Sequence, residues 1–400
     1  MRSAMRLVFL LALLPGPVVG QGRFTNATVI GKVDSIASGI LNETRPYLVY
    51  TPPSYNDTTA TQQSYPVLYL LDGDAHFHSV TGLIQILGTG VNGTYVIPEM
   101  IVVAIPNTDR TRDLTPSRSE LAPDGTPQPG FRSSGGGTAF LRFVQTELIP
   151  RIETQYRTLP YRVLVGHSFG GIATLHALYT MPQAFNAYVA IDPSLWWDRQ
   201  SLLWKAKDYF SAADLHGKAL YIAQANTINP DDTTSNTHFE SIVQFNAVMQ
   251  TYNKSGIRYA YKYYGEDSHG SVPLISEYDG LRFIFDGYTL PFIQIVDRPA
   301  LLTEHFRTVS DRLGAPFRPS EGMTRQLAQI ALMRDTANAI ELGEIWAQLY
   351  PRSGRAEEFL GDVWAAKNDA QKARSYYEQA LAKRPGIPRV REKIDKLRGR

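Results

Sequence analysis

Cysteine is absent from this 400-residue chain. Its absence excludes a cysteine nucleophile, a disulfide framework, a thiolate zinc site and an iron–sulfur cluster. An excess of one charge is also missing, since 40 basic residues face 38 acidic ones, which argues against a broad binding surface for nucleic acid. What is present, 43% hydrophobic and 20% charged residues, indicates a globular chain with enough apolar residues for one large core or two smaller ones.

Long apolar runs are scarce, and the clearest one lies close to the N-terminus at residues 7–14. Arg2 and Arg6 precede it, and prolines followed by small residues come after it. This order predicts a secretory signal over residues 1–20, whose apolar part is too short to serve as an anchor. We therefore expect an exported protein, periplasmic or secreted, without a stable membrane anchor.

Short apolar runs alternate with helical stretches between residues 40 and 288, which predicts an α/β fold with a mostly parallel sheet covered on both faces. We place this domain at residues 21–290. A polar insertion at 106–137 is long for a compact domain and predicts a substrate-facing loop or lid, with plain disorder as the alternative. The expected strands are Tyr47–Tyr50, Val67–Leu71, Ile101–Ile105, Val163–Val165, Tyr188–Ile191, Leu220–Ala223 and Tyr259–Tyr264.

The C-terminal part has a different composition. Prolines mark a linker at residues 291–319, and residues 320–400 are predicted to form a small all-α region. Its spacing resembles a tetratricopeptide repeat, with one degenerate unit before it, although an ordinary helical hairpin is the alternative. Isolated repeats cannot bury their apolar face alone, so we expect packing on the sheet domain or on a protein partner. The residues that carry the repeat spacing are Leu360, Gly361, Trp364, Ala373, Tyr377, Ala380 and Pro385.

A nucleophile motif follows the predicted strand Val163–Val165. The chain continues with Gly166-His167-Ser168-Phe169-Gly170 and then a run typical of a helix. This is the G-x-S-x-G elbow in its expected context of strand, sharp turn and helix. The motif predicts Ser168 as a nucleophile at the carboxyl edge of the sheet.

A serine hydroxyl needs a base to take its proton, and the elbow predicts the chain order serine, acid, histidine. His269 follows the predicted strand Tyr259–Tyr264 and has the best context of the eight histidines. The acid is expected after Leu220–Ala223, where we favour Asp232. Two further candidates stay open, Asp231 and Glu240, and each of the three carboxylates could equally close a turn or cap a helix.

An oxyanion hole needs two backbone donors. We expect one from the amide of Phe169 and the other from Gly73, in the turn after the strand Val67–Leu71. Asp72 and Asp74 in the same turn lack a convergent third ligand, so the sequence predicts neither a metal nor a cofactor.

Four segments together resemble the "Putative esterase" family of the α/β-hydrolase fold, whose members include siderophore esterases and S-formylglutathione hydrolases. The likeness spans residues 30–290, and the tail is similar to the repeat extension of some bacterial members. The resemblance implies serine ester hydrolysis without a metal. The matching segments are Tyr65–Gly73, Gly166–Gly171, Asp192–Trp197 and His269–Pro273.

The sequence therefore predicts an exported serine esterase that cleaves small-molecule carboxylic esters through an acyl-enzyme, with a siderophore-type ester as a candidate substrate. One alternative is an acyltransferase on the same fold. The other is a scaffold protein that binds a protein partner through its C-terminal repeats.

Overall fold

An eight-stranded sheet forms the centre of the protein in the computed structural model, which describes residues 28–398 except 59, 90–94, 232–235 and 387. The predicted signal at residues 1–20 lies outside these residues. The spatial order is β1-β2-β4-β3-β5-β6-β7-β8. The strands are β1 (Lys32–Ser38), β2 (Glu43–Tyr50), β3 (Tyr65–Leu70), β4 (Ile101–Ala104), β5 (Thr158–His167), β6 (Ala187–Ile191), β7 (Ala219–Ala225) and β8 (Arg258–Tyr264).

The sheet confirms the predicted α/β class. Strands β1 and β2 are antiparallel to their neighbours, and all pairings from β4 through β3, β5, β6 and β7 to β8 are parallel. Strands β3, β4, β6 and β7 are buried along their whole length, as a parallel sheet with helices on both faces requires. The carboxyl ends of β3, β5, β6, β7 and β8 therefore meet at one edge, where ligands of such sheets bind.

Helices cover the two faces of this sheet. In the insertion at 106–137 the chain forms α2, a 3₁₀ turn at Pro129–Phe131 and a β-bridge from Leu121 to Pro127. A π-helical turn at Val144–Leu148 joins α3 to α4. The helices of this part are α1 (Gly73–Gly88), α2 (Arg110–Leu114), α3 (Gly137–Phe143), α4 (Ile149–Gln155), α5 (Phe169–Thr180), α6 (Trp197–Ala212), α7 (Thr237–Tyr252) and α8 (Val272–Ile284).

The C-terminal part continues as helices. The segment 291–319, predicted to be a linker, instead contains α9 and α10, because apolar side chains such as Ile295 and Phe306 are buried there. The helices of this part are α9 (Phe292–Asp297), α10 (Leu301–Leu313), α11 (Glu321–Leu332), α12 (Thr336–Leu349), α13 (Arg355–Ala366), α14 (Ala370–Lys383) and α15 (Pro388–Arg398). Within the described chain, no helix combines the length and apolar character needed to cross a membrane.

Three apolar clusters make up the core. One lies on the sheet face that carries Leu68 and Val189, and it extends without a break to Leu327 and Trp346 in the C-terminal helices. The second, on the other face, packs β-strand side chains against α3 to α7. The third is small and belongs to α14 and α15. The first part of the helical region therefore shares its core with the sheet.

Candidate active site

The turn between β5 and α5 has the geometry of a nucleophile elbow. Ser168 has φ 60° and ψ −115°, a left-handed conformation that a side chain rarely adopts. A Cβ atom on Gly166 would lie 2.2 Å from the carbonyl oxygen of Gly170, so only glycine fits there. The Ser168 amide donates to the carbonyl of Ile191 at 2.9 Å, which ties the turn to the end of β6. This geometry directs the serine out of the strand at the carboxyl edge of the sheet.

The Ser168 hydroxyl lies 3.2 Å from the hydroxyl of Ser194, which is buried. Within the described residues, no hydrogen bond joins it to His269. The two predicted residues nevertheless share one site, because the ring of His167, next to the serine in the chain, stacks 4.5 Å from the ring of His269. A hydrogen bond between a catalytic serine and its histidine is often long or poorly aligned until substrate is bound.

His269 has a carboxylate partner that the sequence reasoning did not select. Its Nδ1 lies 2.5 Å from Oδ2 of Asp192, which directly follows β6 and is fully buried. Burial acts to raise the pKa of this carboxyl, but hydrogen bonds from His238 and His269 outweigh it and hold the pKa well below its usual value. An ionised carboxylate only accepts, so His269 carries its proton on Nδ1 and leaves the Nε2 lone pair free.

The predicted acids do not occupy this position. Asp232, the favoured one, lies outside the described residues. Asp231 and Glu240 are exposed, and neither makes a hydrogen bond to His269 within the described chain. The carboxylate that the structure places against the histidine therefore comes from the end of β6 and not from the segment after β7.

A second histidine, from the first turn of α7, contacts the same carboxylate oxygen. The Nε2 atom of His238 lies 2.9 Å from Oδ2 of Asp192, and its side chain is largely buried. The rings of His238 and His269 meet edge to face with centroids 5.2 Å apart. The other carboxylate oxygen accepts the amide of Ala225, at 2.9 Å. Three donors therefore hold Asp192.

The elbow histidine, His167, also contacts this group. Burial, together with neighbouring His269 and His76, lowers the pKa of His167 to about 3, which keeps it neutral. The His76 ring meets the His167 ring edge to face with centroids 5.9 Å apart, and His76 Nδ1 lies 3.5 Å from Oε1 of Glu277. Burial raises the pKa of Glu277 to about 8.

The two predicted oxyanion donors differ in outcome. Phe169 begins α5, and its amide has no acceptor among the described residues, as expected for a helix N-terminus. The amide of Gly73, in contrast, donates to the carbonyl of Ile105 at 3.0 Å. That amide is occupied, which corrects the prediction. The next amide, that of Asp74, has no acceptor within the described chain.

Asp72, beside Gly73, is connected through Arg110 to the turn that carries the serine. It has φ 52°, is buried, and accepts a bidentate pair from Arg110 at 2.7 and 2.9 Å. The same guanidinium donates to the carbonyl of His167 at 3.2 Å and so contacts the elbow itself. Burial acts to raise the pKa of the Asp72 carboxyl, but the Arg110 contacts outweigh it and hold the pKa below its usual value.

An aromatic wall borders the serine. Phe131, from the insertion, packs on Phe169, Trp196 and Trp197 with ring centroids 5.1–6.1 Å apart. Trp197 is buried and donates to a backbone carbonyl, so it acts as a core residue, whereas Trp196 is partly exposed. A cavity of about 460 Å³ opens beside Trp196 and is also lined by Thr237, the neighbour of His238.

Asp192, His238 and His269 are also the described residues whose potential ligand atoms come close enough, within 4.8 Å of one another, to approach one metal ion. Hydrogen bonds already connect these atoms, and both histidines direct an N–H rather than a lone pair at the carboxylate. The arrangement is therefore that of a carboxylate held by two imidazole donors.

Comparison with known proteins gives a family match. A model of the family described as "Putative esterase" matches residues 38–271, which is more than half of the chain and contains Ser168, Asp192 and His269. The ferri-bacillibactin esterase BesA of Bacillus subtilis is 30% identical over 276 residues, covering 66% of this chain and 93% of that protein.

Two further relatives extend the comparison. The siderophore enterobactin esterase of Emericella nidulans is 34% identical over 176 residues, covering 40% of this chain and 56% of that protein. The crystal structure of an IroE-like serine hydrolase from Shewanella oneidensis is 33% identical, with a TM-score of 0.72, and the match covers 80% of this chain and 99% of that one.

Proposed function

Since the chain belongs to this esterase family and is a carboxylic-ester hydrolase of the α/β-hydrolase type, we propose that it works through a Ser168–His269–Asp192 triad and an acyl-enzyme. The observation that carries the proposal is the 2.5 Å contact between His269 and the buried Asp192, next to the strained Ser168 turn. Asp192 takes the role for which the sequence favoured Asp232.

In the proposed reaction, Nε2 of His269 accepts the Ser168 proton as Oγ attacks the ester carbonyl. The carboxylate of Asp192 holds the imidazole in this tautomer and stabilises the imidazolium that forms. The imidazolium then gives its proton to the departing alcohol, and an acyl group stays on the serine. Water, deprotonated by His269, attacks the acyl-enzyme and releases the acid and the free serine.

The developing oxyanion needs donors that point at it. We propose the amides of Phe169 and Asp74, which lie in the first turns of α5 and α1 and have no acceptor among the described residues. Such unpaired N–H groups at a helix start favour negative charge. Asp74 replaces Gly73 in this role because the Gly73 amide is already bonded.

For the substrate we propose an ester of a siderophore. The support is that the relatives reported above are described as esterases of bacillibactin and enterobactin, and that the chain covers 93% of the first. The partly exposed Trp196, whose ring centroid lies 6.0 Å from that of Phe169 next to the serine, offers an aromatic surface for a large acyl group. The cavity beside Trp196 has both apolar and polar residues in its lining.

A test compares the wild type with Ser168→Ala on p-nitrophenyl butyrate and on a ferric triester siderophore. We expect loss of at least about 10³-fold in kcat/KM for both esters, because no other hydroxyl occupies the elbow. The matched control is Ser194→Ala, which removes the hydroxyl 3.2 Å away and should retain most of the activity. A fluorophosphonate should label the wild type and the control but not Ser168→Ala. Full activity of Ser168→Ala would contradict the nucleophile, and activity on the synthetic ester alone would contradict the substrate.

We also propose that residues 1–20 direct export and that the C-terminal helices are repeats of the tetratricopeptide type. The first proposal rests on the order of charged, apolar and small residues. Supporting the second, a Cβ atom on Gly361 would lie 2.4 Å from the Tyr377 ring, so the two predicted repeat positions pack closely between α13 and α14. Further predicted positions, Leu360, Ala373 and Ala380, are buried.

A further inference from the structure

The carboxylate of Asp192 is shared by two imidazoles. One oxygen, Oδ2, receives both Nδ1 of His269 at 2.5 Å and Nε2 of His238 at 2.9 Å. A triad needs only the first of these contacts. The second comes from the segment after β7, where the sequence led us to expect the acid itself.

His238 is held firmly enough to act on the carboxylate. Its neighbour Phe239 accepts, through its carbonyl, the side-chain amide of Gln224 at 2.9 Å, and Gln224 in turn accepts the hydroxyl of Tyr261 at 2.5 Å. The Phe239 ring also packs on Tyr263 with centroids 5.7 Å apart. The first turn of α7 is therefore fastened to β7 and β8, and the imidazole has little freedom to leave Asp192.

We propose that His238 is a positioning residue for ester hydrolysis, whose Nε2–H keeps Oδ2 of Asp192 aligned with His269 and takes up part of the carboxylate's charge. The inference rests on the proposed triad. It does not make His238 a catalytic residue, because the imidazole reaches the reacting atoms only through Asp192 and His269.

Among the residues that the structure describes, few other charges face the pair. From the β5–α5 turn, the His167 ring contacts the His269 ring but is kept neutral by burial, which lowers its pKa to about 3. From β8, burial raises the pKa of Tyr261, so its hydroxyl is neutral at working pH. In the loop that carries His269, Asp267 accepts the hydroxyl of Ser271. The imidazolium formed on His269 is therefore countered chiefly by Asp192, and His238 decides how much of that charge is available.

The test measures kcat, KM and the pH profile of kcat/KM for His238→Leu and His238→Gln. Leucine removes the donor, and glutamine places an amide N–H near the position of Nε2. We expect His238→Leu to lower kcat about tenfold with KM unchanged within about twofold, since the lost contact orients the base rather than the substrate. Because the full negative charge of Asp192 would then act on His269, the acid limb of the kcat/KM profile should move up by about half a pH unit. His238→Gln should restore both quantities to within about threefold and 0.2 pH unit of the wild type.

The matched control is His216→Leu, because His216 is an exposed histidine that also pairs with an aspartate, Asp214, at 2.7 Å. Its kcat and pH profile should equal those of the wild type. If circular dichroism shows that His238→Leu does not fold, His238→Asn replaces it, since its amide is too short to reach Asp192.

The proposal is overturned if His238→Leu keeps both the kcat and the acid limb of the wild type. It is also overturned if His238→Gln is no more active than His238→Leu. Ser168→Ala, run in the same assay, separates the two levels of inference. If Ser168→Ala is active, the proposed triad fails. If it is inactive while the His238 variants behave like the wild type, only the role of His238 fails.

Discussion

Two buried aspartates flank Ser168, and they differ in the kind of partner they have. Asp72 follows β3 and Asp192 follows β6, and both adopt a left-handed backbone, with φ 52° and 40°. Both are almost completely buried, and both have a pKa held below its usual value. Asp72 is paired with the guanidinium of Arg110, whereas Asp192 is paired with two imidazoles.

The difference shows how one edge of the sheet can hold both a residue that stabilises the fold and a residue that we propose acts in catalysis. Arginine stays protonated at any working pH, so the Asp72–Arg110 pair is a fixed charge that holds the elbow through the carbonyl of His167. Histidine changes its charge near neutrality, so the Asp192 contacts can respond to proton transfer. We therefore expect changes at Asp192 to act mainly on rate and changes at Asp72 to act mainly on stability.

The largest effect is expected from Asp192→Asn. Its amide oxygen can keep the bond to Ala225, but the amide N–H then faces His269 and favours the tautomer with hydrogen on Nε2. That tautomer cannot accept the serine proton, so kcat should fall by about 10³- to 10⁴-fold. Steady-state assays on a synthetic ester, together with urea unfolding, check this. A loss of less than tenfold in a folded variant would show that another residue, such as Asp232, is the acid.

A smaller effect, of the opposite kind, is expected from Asp72→Asn. Arg110 loses its charge partner, and because its side chain is about a third exposed, we expect the free energy of unfolding to drop by about 2 kcal/mol, less than for a fully buried pair. The catalytic rate should change by less than about fivefold. Urea unfolding at pH 7 measures the drop, and Asp214→Asn, at an exposed carboxylate, serves as the control.

The same variant carries a pH dependence. The lowered pKa of the Asp72 carboxyl in the folded state means that its stabilisation is present above the unfolded-state value of about 4 and is lost as the pH falls through the folded-state value. The stability difference between wild type and Asp72→Asn should therefore shrink below about pH 4. A difference that stays constant down to pH 3 would contradict the assignment of the ion pair.

The last effect concerns a third buried carboxylate, Glu277, which has no ionic partner. Its contacts are Ser79 at 3.4 Å and His76 at 3.5 Å, and burial lowers the pKa of His76, so the pair is not ionic. Because burial raises the pKa of Glu277 to about 8, the folded state keeps a proton that the unfolded chain loses, and stability falls between about pH 4.5 and pH 8.

Glu277→Gln does not titrate, so this variant should be more stable than the wild type at pH 8, and the difference should disappear near pH 4.5. Thermal unfolding at the two pH values measures it. A destabilised variant at pH 8 would mean that Glu277 is ionised and paired in the folded protein.

Much of the fold was predictable because its strands are buried on both faces and read as apolar runs. All seven expected strands are present. The missed one, β1, has the sequence Lys-Val-Asp-Ser-Ile-Ala-Ser and is mostly exposed at the sheet edge, so it carries no such run. The prediction of a linker at 291–319 was wrong because it rested on the prolines. Between these prolines lie apolar residues that are buried in helices, among them Ile295 and Phe306.

At the site, a local motif predicts Ser168, and the place after the last strand predicts His269. The carboxylate that contacts His269 was not predicted, because two strand ends, after β6 and after β7, face the same edge and spacing cannot choose between them. A signal was present in Asp192, which directly follows a buried strand. The Gly73 amide donates to the carbonyl of Ile105, which directly follows β4. A hydrogen bond between segments so far apart in the chain can be identified only from the structure.

The unbroken core that joins the sheet to the C-terminal helices has a consequence for how the protein is made. Apolar side chains from Tyr50 to Ala356 pack in this single cluster. During synthesis, the far end of this cluster stays incomplete until α11, α12 and the start of α13 have been made. Contacts so distant along the chain are slow to form, and apolar side chains that await their partners are prone to aggregate meanwhile. A ribosome that stops before residue 320 therefore releases a chain that contains Ser168 and His269 but cannot complete this core.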